Sequence, residues 1–465
     1  MSAEVLLIQP PWENYTEETI CIPLGLAWIG SVLLSEGIKV IVVDFIIEKC
    51  VNWQKKLMDV VNNKKIKVIG IQFHSIASFS TSCNTAKYIK NNWPNILLVA
   101  GGETASKKAH FLLENEIVDI VVDSEGEIPF KEIVLNYIKY RNKSILCEIS
   151  GIFFTNKKGS VQFTGKRPLI SNLDTLPLPA RDLFLWRKYP QWSVFTSRGC
   201  PYGCTFCSAS EWWRHKIRYR SIDNVINELK ILYNKYNVRN IYIGDDIFTY
   251  DKKRVKELCK KLITNNLKFT WSCLTRADCL DYPLLKIMKG SGCKEISIGL
   301  ESANNKTLRL INKHETSQII RDSILMCKRI GIHVRVTVIL GLPGENIEDV
   351  KRTTQFLLEV QPNEIQLYSL APYDGAILFG SLDNIGIKII EKDPSNWTRN
   401  VLSPICETEF LNREQIRNLA LELVNELIKK GYKYFHSNEK NIKRGLNKVV
   451  YTGFCPIQTI PDARK

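Results

Sequence analysis

Short apolar strands alternate with helical stretches along most of this chain, and that alternation narrows the folds open to it more than any other feature. Residues 5–9 form an apolar run ending in Pro10-Pro11-Trp12, and residues 24–37 carry apolar side chains at helical spacing up to a closing glycine. Strands are expected at 39–44, 68–73, 96–100 and 118–122, with helices at 53–63, 81–91 and 128–140. Parallel strands need a crossover, so strands spaced by helices build a doubly wound, Rossmann-like parallel sheet over residues 1–145. Such sheets hold ligands at the carboxyl ends of their strands. Here those ends read Gln9-Pro10-Pro11, Gln72-Phe73-His74-Ser75, Gly101-Gly102-Glu103-Thr104 and Asp123-Ser124-Glu125-Gly126-Glu127.

Residues 146–188 are irregular and broken by Pro168, Pro177 and Pro179, which reads as a linker. A second series of strands is expected at 192–197, 240–245, 269–275, 295–300, 334–340 and 364–370, with helices such as 222–236 and 252–265 between them. Six such units over 189–375 point to a partial (β/α)6 barrel, in which chemistry belongs at the carboxyl ends of the strands. Four motifs fall there: the cysteine loop Cys200–Cys207, then Gly244-Asp245-Asp246, Gly299-Leu300-Glu301-Ser302 and Gly341-Leu342-Pro343-Gly344-Glu345.

The cysteine loop is the sharpest of these. Cys200, Cys204 and Cys207 lie within eight residues, and Gly199, Pro201 and Gly203 bend the chain so that three thiolates can face one centre. A four-iron cubane normally takes four cysteines, and the next one is Cys259, so three ligands leave one iron open. A structural zinc site is the competing reading; it needs a fourth ligand, for which His215 is the nearby candidate. The remaining cysteines among the chain's fourteen are scattered and read as small buried residues in a reduced protein.

With Phe206 before its third cysteine, this loop resembles the cluster loop of the radical S-adenosylmethionine (SAM) enzymes. The resemblance implies a [4Fe-4S] cluster whose open iron binds SAM and whose one-electron reduction cleaves it to a 5′-deoxyadenosyl radical. By the same resemblance Asp245 and Asp246 stand where the family contacts the SAM amino group. Glu301 and Ser302 stand where it holds the ribose hydroxyls or amino group, and 341–345 match a turn near adenine. Arg276 and Arg335 are the candidates for the SAM carboxylate, with Arg335 favoured for its place on a strand.

Pro10-Pro11, Pro23-Leu24-Gly25-Leu26-Ala27, Gly101–Thr104 and Glu125-Gly126-Glu127 together resemble the N-terminal domain of the B12-dependent members of that family. This implies a cobalamin lined by Pro10, Pro11, Gln72, Ser75, Gly101, Gly102, Glu103, Glu125 and Gly126. The Asp-x-His-x-x-Gly signature that supplies an axial histidine in cobalamin mutases is absent, so the cobalamin is expected to lack a histidine ligand from that motif; His74, at a strand end, could approach cobalt but reads first as a hydrogen-bonded core histidine. The activity implied is methyl transfer to an unactivated carbon, with cyclisation or ring rearrangement as the alternative that shares every motif. A tRNA methylthiotransferase would need a further three-cysteine cluster and an RNA-binding barrel, neither legible here. A non-enzymatic binding module leaves the strand-end carboxylates unexplained.

The chain has 465 residues, 45% hydrophobic and 24% charged, enough for two or three domains with real cores. Its net charge of +16 comes from lysines spread evenly rather than from a basic stripe, which argues against a nucleic-acid partner. The expected partners are a small-molecule or carrier-bound substrate and an electron donor such as flavodoxin or ferredoxin. With no basic n-region and no apolar run long enough for a span, residence in the cytoplasm is expected. Residues 376–465 carry no recognised motif and are expected to form a lid over the substrate, with Tyr373, Trp397, Tyr434 and His436 as pocket candidates.

Overall fold

The computed structural model describes residues 4–12, 20–48, 52–73, 75–140, 143–393, 396–397, 399–436 and 448–452. The chain packs as two units, Met1–Pro190 and Gln191–Lys465. Among the described residues no helix is long and apolar enough to cross a membrane.

In the first unit the order is β1 (Val5–Gln9), α1 (Leu24–Ser35), β2 (Val40–Asp44), α2 (Trp53–Asn62), β3 (Val68–Gln72), α3 (Phe79–Asn92), β4 (Leu97–Gly101), α4 (Glu103–Lys107), α5 (Ala109–Glu114), β5 (Ile120–Val122) and α6 (Glu127–Leu135). The strands line up as β2-β1-β3-β4-β5 and pair in parallel throughout. Every residue of β1 is buried, because helices cover both faces of the sheet. Leu6, Ile8, Ile69, Ile71, Leu98 and Ala100 form the centre of the core on one face, where α2, α3 and α5 supply Leu57, Ile89 and Leu112.

The segment expected to be a linker is part of this unit. Residues 146–188 contribute β6 (Ile152–Thr155) and β7 (Val161–Phe163), which extend the sheet antiparallel beyond β5. Its proline-rich stretch is bound too: Ser31 Oγ donates to Leu178 O at 2.6 Å and Ala180 N to Ala27 O at 3.1 Å. Prolines mark turns and edges without saying whether the chain between them is packed, and here a backbone with few internal bonds finds partners on α1.

The second unit continues with β8 (Ser193–Val194), β9 (Ser197–Arg198), α7 (Ala209–Trp212), β10 (Arg218–Tyr219), α8 (Ile222–Asn234), β11 (Asn240–Ile243), α9 (Lys252–Thr264), β12 (Thr270–Thr275), α10 (Tyr282–Gly290), β13 (Cys293–Glu301), α11 (Asn305–Leu310), α12 (Ser317–Ile330), β14 (His333–Leu340), α13 (Ile347–Val360) and β15 (Glu364–Ser369). Most of the helices start on a side-chain cap: Ser221, Asp251, Asp281, Thr316 and Asn346 each accept from a backbone N–H in the first turn, a contact worth about 1 kcal/mol. The expected strand 192–197 is divided, because Thr196 leaves the ladder and gives its N–H to the Asp245 carboxylate at 2.6 Å. β9 then pairs antiparallel with β10.

The C-terminal region does more than cover this sheet. After β16 (Ile387–Ile389), β17 (Cys406–Thr408) and α14 (Arg413–Lys429), the strands β18 (Lys433–His436) and β19 (Val449–Thr452) join it in parallel at β15. The full order is β18-β19-β15-β14-β13-β12-β11-β8, eight parallel strands where six were expected. Tyr434 accordingly lies in a strand, its hydroxyl 2.8 Å from Thr452 Oγ1.

Candidate functional site

Gly199 opens the cysteine loop at φ +106°, and a Cβ on it would sit 2.0 Å from Lys216 O, so no other residue fits. The loop is pinned from three sides: Thr205 N donates to Ile311 O at 3.0 Å, Asn312 Nδ2 to Gly203 O at 2.7 Å, and Leu378 N to Thr205 O at 2.9 Å. Cys200, Cys204 and Cys207 carry free, half-buried thiols. Burial pushes Cys200 up to about 11 and Cys207 up to about 12, and raises Cys204 as well, so protons stay on the sulfurs until a cation displaces them. His215 does not complete a zinc site, because its Nε2 is 2.7 Å from Glu211 Oε1. Among the described residues, the group of ligand atoms lying within 4.8 Å of one another is Glu295, His333 and Glu364. With no fourth protein ligand from His215, the three thiols suit a cubane with one iron open.

Asp245 and Asp246 divide their work. Asp245 is 1% exposed; its carboxylate accepts from Thr196 N at 2.6 Å, Thr196 Oγ1 at 2.6 Å and Ser197 Oγ at 2.7 Å. Arg254 braces the same turn through Thr196 Oγ1 and O, both at 3.1 Å. Asp245 is therefore committed to holding the base of the cysteine loop and does not face a ligand, which corrects the expectation for it. Asp246 is half-buried and accepts from Gly199 N at 3.1 Å, beside the first cysteine.

Glu301 ends β13 at φ +61°, where the register with β14 slips between Gly299 and Glu301. A left-handed glutamate costs of order 1–2 kcal/mol, and bulges of this kind re-aim side chains at functional sites. Its carboxylate meets Lys313 Nζ at 3.2 Å, and Lys313 also reaches Glu315 at 3.4 Å. Ser302 is fully buried and donates to Glu345 Oε1 at 3.2 Å, so its expected ligand contact is replaced by a fold contact. Glu345 itself folds back on Gly341 N at 2.9 Å. Phe206 is half-buried in the loop beside Cys207.

Arg335 is not at this end of the sheet. It is the third residue of β14, 5% exposed, with Nε 2.5 Å and Nη2 3.0 Å from the Glu364 carboxylate and Nη1 3.2 Å from Glu295. It serves the amino ends of β13–β15, and the strand membership that favoured it says nothing about which end. Arg276 follows the last residue of β12 and lies at the right end, its guanidinium 3.8 Å from the Tyr202 ring and Nη1 3.9 Å from Cys204 Sγ. Two more cations escaped sequence reasoning. Lys313 comes from an unpatterned loop, and Arg399 from the motif-free C-terminal region, where it stacks 4.9 Å from Tyr368 and interacts electrostatically with Cys207 and Glu301. The first lies twelve residues past a strand-end carboxylate, a weak signal; the second carries none.

In the first unit, Pro10 and Pro11 follow β1, Gln72 ends β3, Gly101 ends β4 and Glu103 heads α4. Gly102 takes φ +104°, and a Cβ there would be 2.6 Å from Phe73 O, while one on Gly101 would meet nothing within 4 Å. That open floor is flanked by two buried polar atoms without a hydrogen-bond partner, Gln72 Oε1 and Ser124 Oγ. A corrin rimmed with amide groups supplies what both lack, so the residues fit cobalamin. Ser75 instead caps the turn Ile76–Ser78, Glu125 Oε2 accepts from Ile170 N at 2.7 Å, and Gly126 packs toward Ile29, so these three serve the fold. His74 lies outside the described residues. Of the scattered cysteines, Cys83, Cys259, Cys273, Cys279, Cys293, Cys327 and Cys406 are buried, Cys21 is half-buried and Cys147 is exposed.

The model of the radical SAM superfamily matches residues 194–357, and that of the B12 binding domain matches residues 16–134. An uncharacterized methyltransferase of Pyrococcus horikoshii is 30% identical over 94% of this chain and 93% of its own length. The chain is a B12-binding member of the radical SAM superfamily. The cytidylyl-2-hydroxyethylphosphonate methyltransferase of Streptomyces wedmorensis is 25% identical over 81% of this chain and 80% of that one. Among solved structures, the radical S-adenosylmethionine methyltransferase TsrM of Kitasatospora setae, with tryptophan substrate and a SAM analogue bound, shares the fold. Its TM-score is 0.74 at 16% identity, over 91% of this chain and 89% of that one. The B12-binding radical SAM enzyme described here is of the methyltransferase class, and its cofactors are a [4Fe-4S] cluster, SAM and cobalamin.

Proposed function

We propose that this enzyme methylates an unactivated carbon of a small molecule. When bound, the reduced cluster and SAM supply a 5′-deoxyadenosyl radical, and cobalamin supplies the methyl group. The observation that carries the reading is the presence, on one chain, of a three-thiol loop that His215 does not complete as a zinc site and a sheet end with an open glycine floor and two unsatisfied polar atoms.

The chain's own residues position and polarise. Cys200, Cys204 and Cys207 hold the cluster, and Asp245, through Thr196 and Ser197, fixes the loop that presents them. Asp246 and Glu301 place negative charge where the SAM ammonium and ribose hydroxyls are expected. Lys313 holds the Glu301 side chain in place, and Arg276 and Arg399 supply positive charge for the carboxylate. Gln72, Gly101, Gly102 and Ser124 seat the corrin amides against the first sheet.

Anaerobic turnover with deuterated-methyl SAM and candidate small molecules tests this. A product carrying the intact deuterated methyl group is expected. Product formed with 5′-deoxyadenosine but without added methyl mass replaces methyl transfer by cyclisation or rearrangement.

A further inference from the structure

The Arg276 guanidinium is held on almost every edge. Its backbone is extended (φ −90°, ψ 151°) just past β12, and the short turn Ala277–Cys279 that follows brings Asp278 back onto the arginine's own side chain. Nε donates to Asp278 Oδ1 at 3.0 Å and Nη2 to Asp278 Oδ2 at 2.8 Å, while Glu315 Oε2 lies 3.6 Å from Nη2. The guanidinium carbon lies over the Tyr202 ring, 3.8 Å from its centre, and Tyr202 stands between Cys200 and Cys204 in the loop. That leaves Nη1, which donates to Cys204 Sγ at 3.9 Å.

The hold is buried. Arg276 is 7% exposed and Glu315 3%, and Glu315 is fixed in turn by Asp278 N, which donates to its Oε1 at 3.1 Å, and by Lys313 Nζ at 3.4 Å. Ser323 Oγ donates to Ala277 O at 2.9 Å and ties the turn to α12. The charges that reach Cys204 are Lys313 and Arg276 on the positive side and Glu301 and Glu315 on the negative. Of these four, Arg276 is the one with an N–H on the sulfur. With Nε and Nη2 engaged, Arg276 does not fork onto a free carboxylate; it lends SAM a point charge, and its directional bond belongs to the cysteine.

We propose that Arg276 sets the reduction potential of the cluster through Cys204, and that Glu315 tempers its effect. The inference rests on the radical SAM reading, which puts a [4Fe-4S] cluster on that cysteine. The step concerned is the uptake of one electron from a low-potential reductant: the cluster gains one negative charge, the reductant loses it, and no proton or other group moves. A fixed cation beside a ligating sulfur favours the more negative, reduced form, and a hydrogen bond to that sulfur acts in the same direction. A buried anion next to the cation opposes it. Arg276 acts on the cluster through its ligand and is therefore a tuning residue, not a catalytic one.

The test is a redox titration of the reconstituted holoenzyme with dithionite and mediators, in the absence of SAM, followed by electron paramagnetic resonance of the reduced four-iron signal. Leaving SAM out removes any contribution from its carboxylate. Arg276→Gln is expected to lower the reduced-to-oxidised ratio at a given potential at least about tenfold, which for a one-electron couple is a midpoint about 59 mV more negative. Glu315→Gln keeps an acceptor for Asp278 N and is expected to move the midpoint the opposite way, with the ratio at least about threefold higher. Arg276→Lys, which keeps the charge, is expected to recover most of the loss. Iron content is expected to match the wild type in all three; should Arg276→Gln lose its iron, the sign of the shift in Glu315→Gln decides. A merely structural role does not produce shifts of opposite sign. Ratios within about twofold of wild type, shifts of one sign in both glutamine variants, or a lysine variant as displaced as Arg276→Gln overturn the tuning role. An unchanged midpoint with weakened SAM binding in Arg276→Gln overturns it too and leaves Arg276 to the carboxylate alone. Absence of a reducible four-iron signal from the wild type overturns the radical SAM reading beneath it.

Discussion

Replacing Arg335 by Met separates a structural arginine from a ligand-binding one. The guanidinium forks onto Glu364 and also meets Glu295, and all three residues are less than a tenth exposed. Removing one partner of a buried pair costs about 3–5 kcal/mol, because the carboxylates left behind have lost both water and countercharge. For a unit of this size that lowers Tm by about 6–15 °C. Burial already raises Glu295, while Arg335 is the leading influence that offsets burial at Glu364, so the loss is partly relieved at low pH as both take up protons. SAM affinity, measured by equilibrium dialysis on reconstituted enzyme, should stay within about twofold of wild type. Roughly 16 Å of strand runs from Arg335 to the last residue of β14, next to the turn that begins at Gly341. Replacing Glu295 and Glu364 by Gln and Met in the same protein should recover most of the stability, since an apolar core of similar volume serves as well as a buried triad. A tenfold loss of SAM affinity with Tm unchanged refutes the assignment and returns Arg335 to the site.

Other substitutions separate the remaining roles. Asp245→Ala strands three buried donors and should lower both the stability and the iron content of the protein, whereas Asp246→Ala should keep its iron and lose SAM affinity; the reverse pattern contradicts the division. Burial lifts the Glu345 carboxyl to about 8 from an ordinary 4.5, so it contributes stability that is complete below about pH 4.5 and is lost as pH rises to about 8, at up to about 1.4 kcal/mol per unit. Urea unfolding of the apoprotein at pH 5 and pH 8 should show this fall, and Glu345→Gln should reduce it; a slope unchanged in the variant refutes the assignment. Gly102→Ala forces a Cβ to within 2.6 Å of Phe73 O at φ +104° and should weaken cobalamin binding at least tenfold, read from the absorbance of the bound corrin; full binding would mean that the glycine floor is not the seat.

The fold was legible because the parallel strands of both sheets are largely buried, which leaves nearly continuous apolar runs such as Val5–Gln9 and a glycine or carboxylate where many of the runs stop. Long-range pairing was not. β6 and β7 are short, with β7 largely exposed, and their signal is drowned by the prolines around them; β18 and β19 join the second sheet across a wide gap in sequence. At the site, strand-end position located Asp246 and Glu301, but only packing shows that Asp245, one residue earlier, points inward to Thr196 and Ser197. Asp245 and Asp246 lie past the end of β11, where one carboxylate anchors Thr196 and Ser197 and the other reaches Gly199 N, a division that no local pattern encodes. Arg399 was invisible, because the chain brings it to the site through Ser369 N–H donating to its carbonyl at 3.0 Å, a contact that no local pattern encodes.

Electron paramagnetic resonance of the dithionite-reduced enzyme, with and without SAM, bears most directly on the central claim that Cys200, Cys204 and Cys207 hold a cluster with one iron open to SAM. In wild type the account predicts a reduced four-iron signal that changes shape when SAM is added, with loss of that signal and of 5′-deoxyadenosine in the triple alanine variant. A four-iron signal that survives in the triple variant, or one in wild type that is indifferent to SAM, would contradict it.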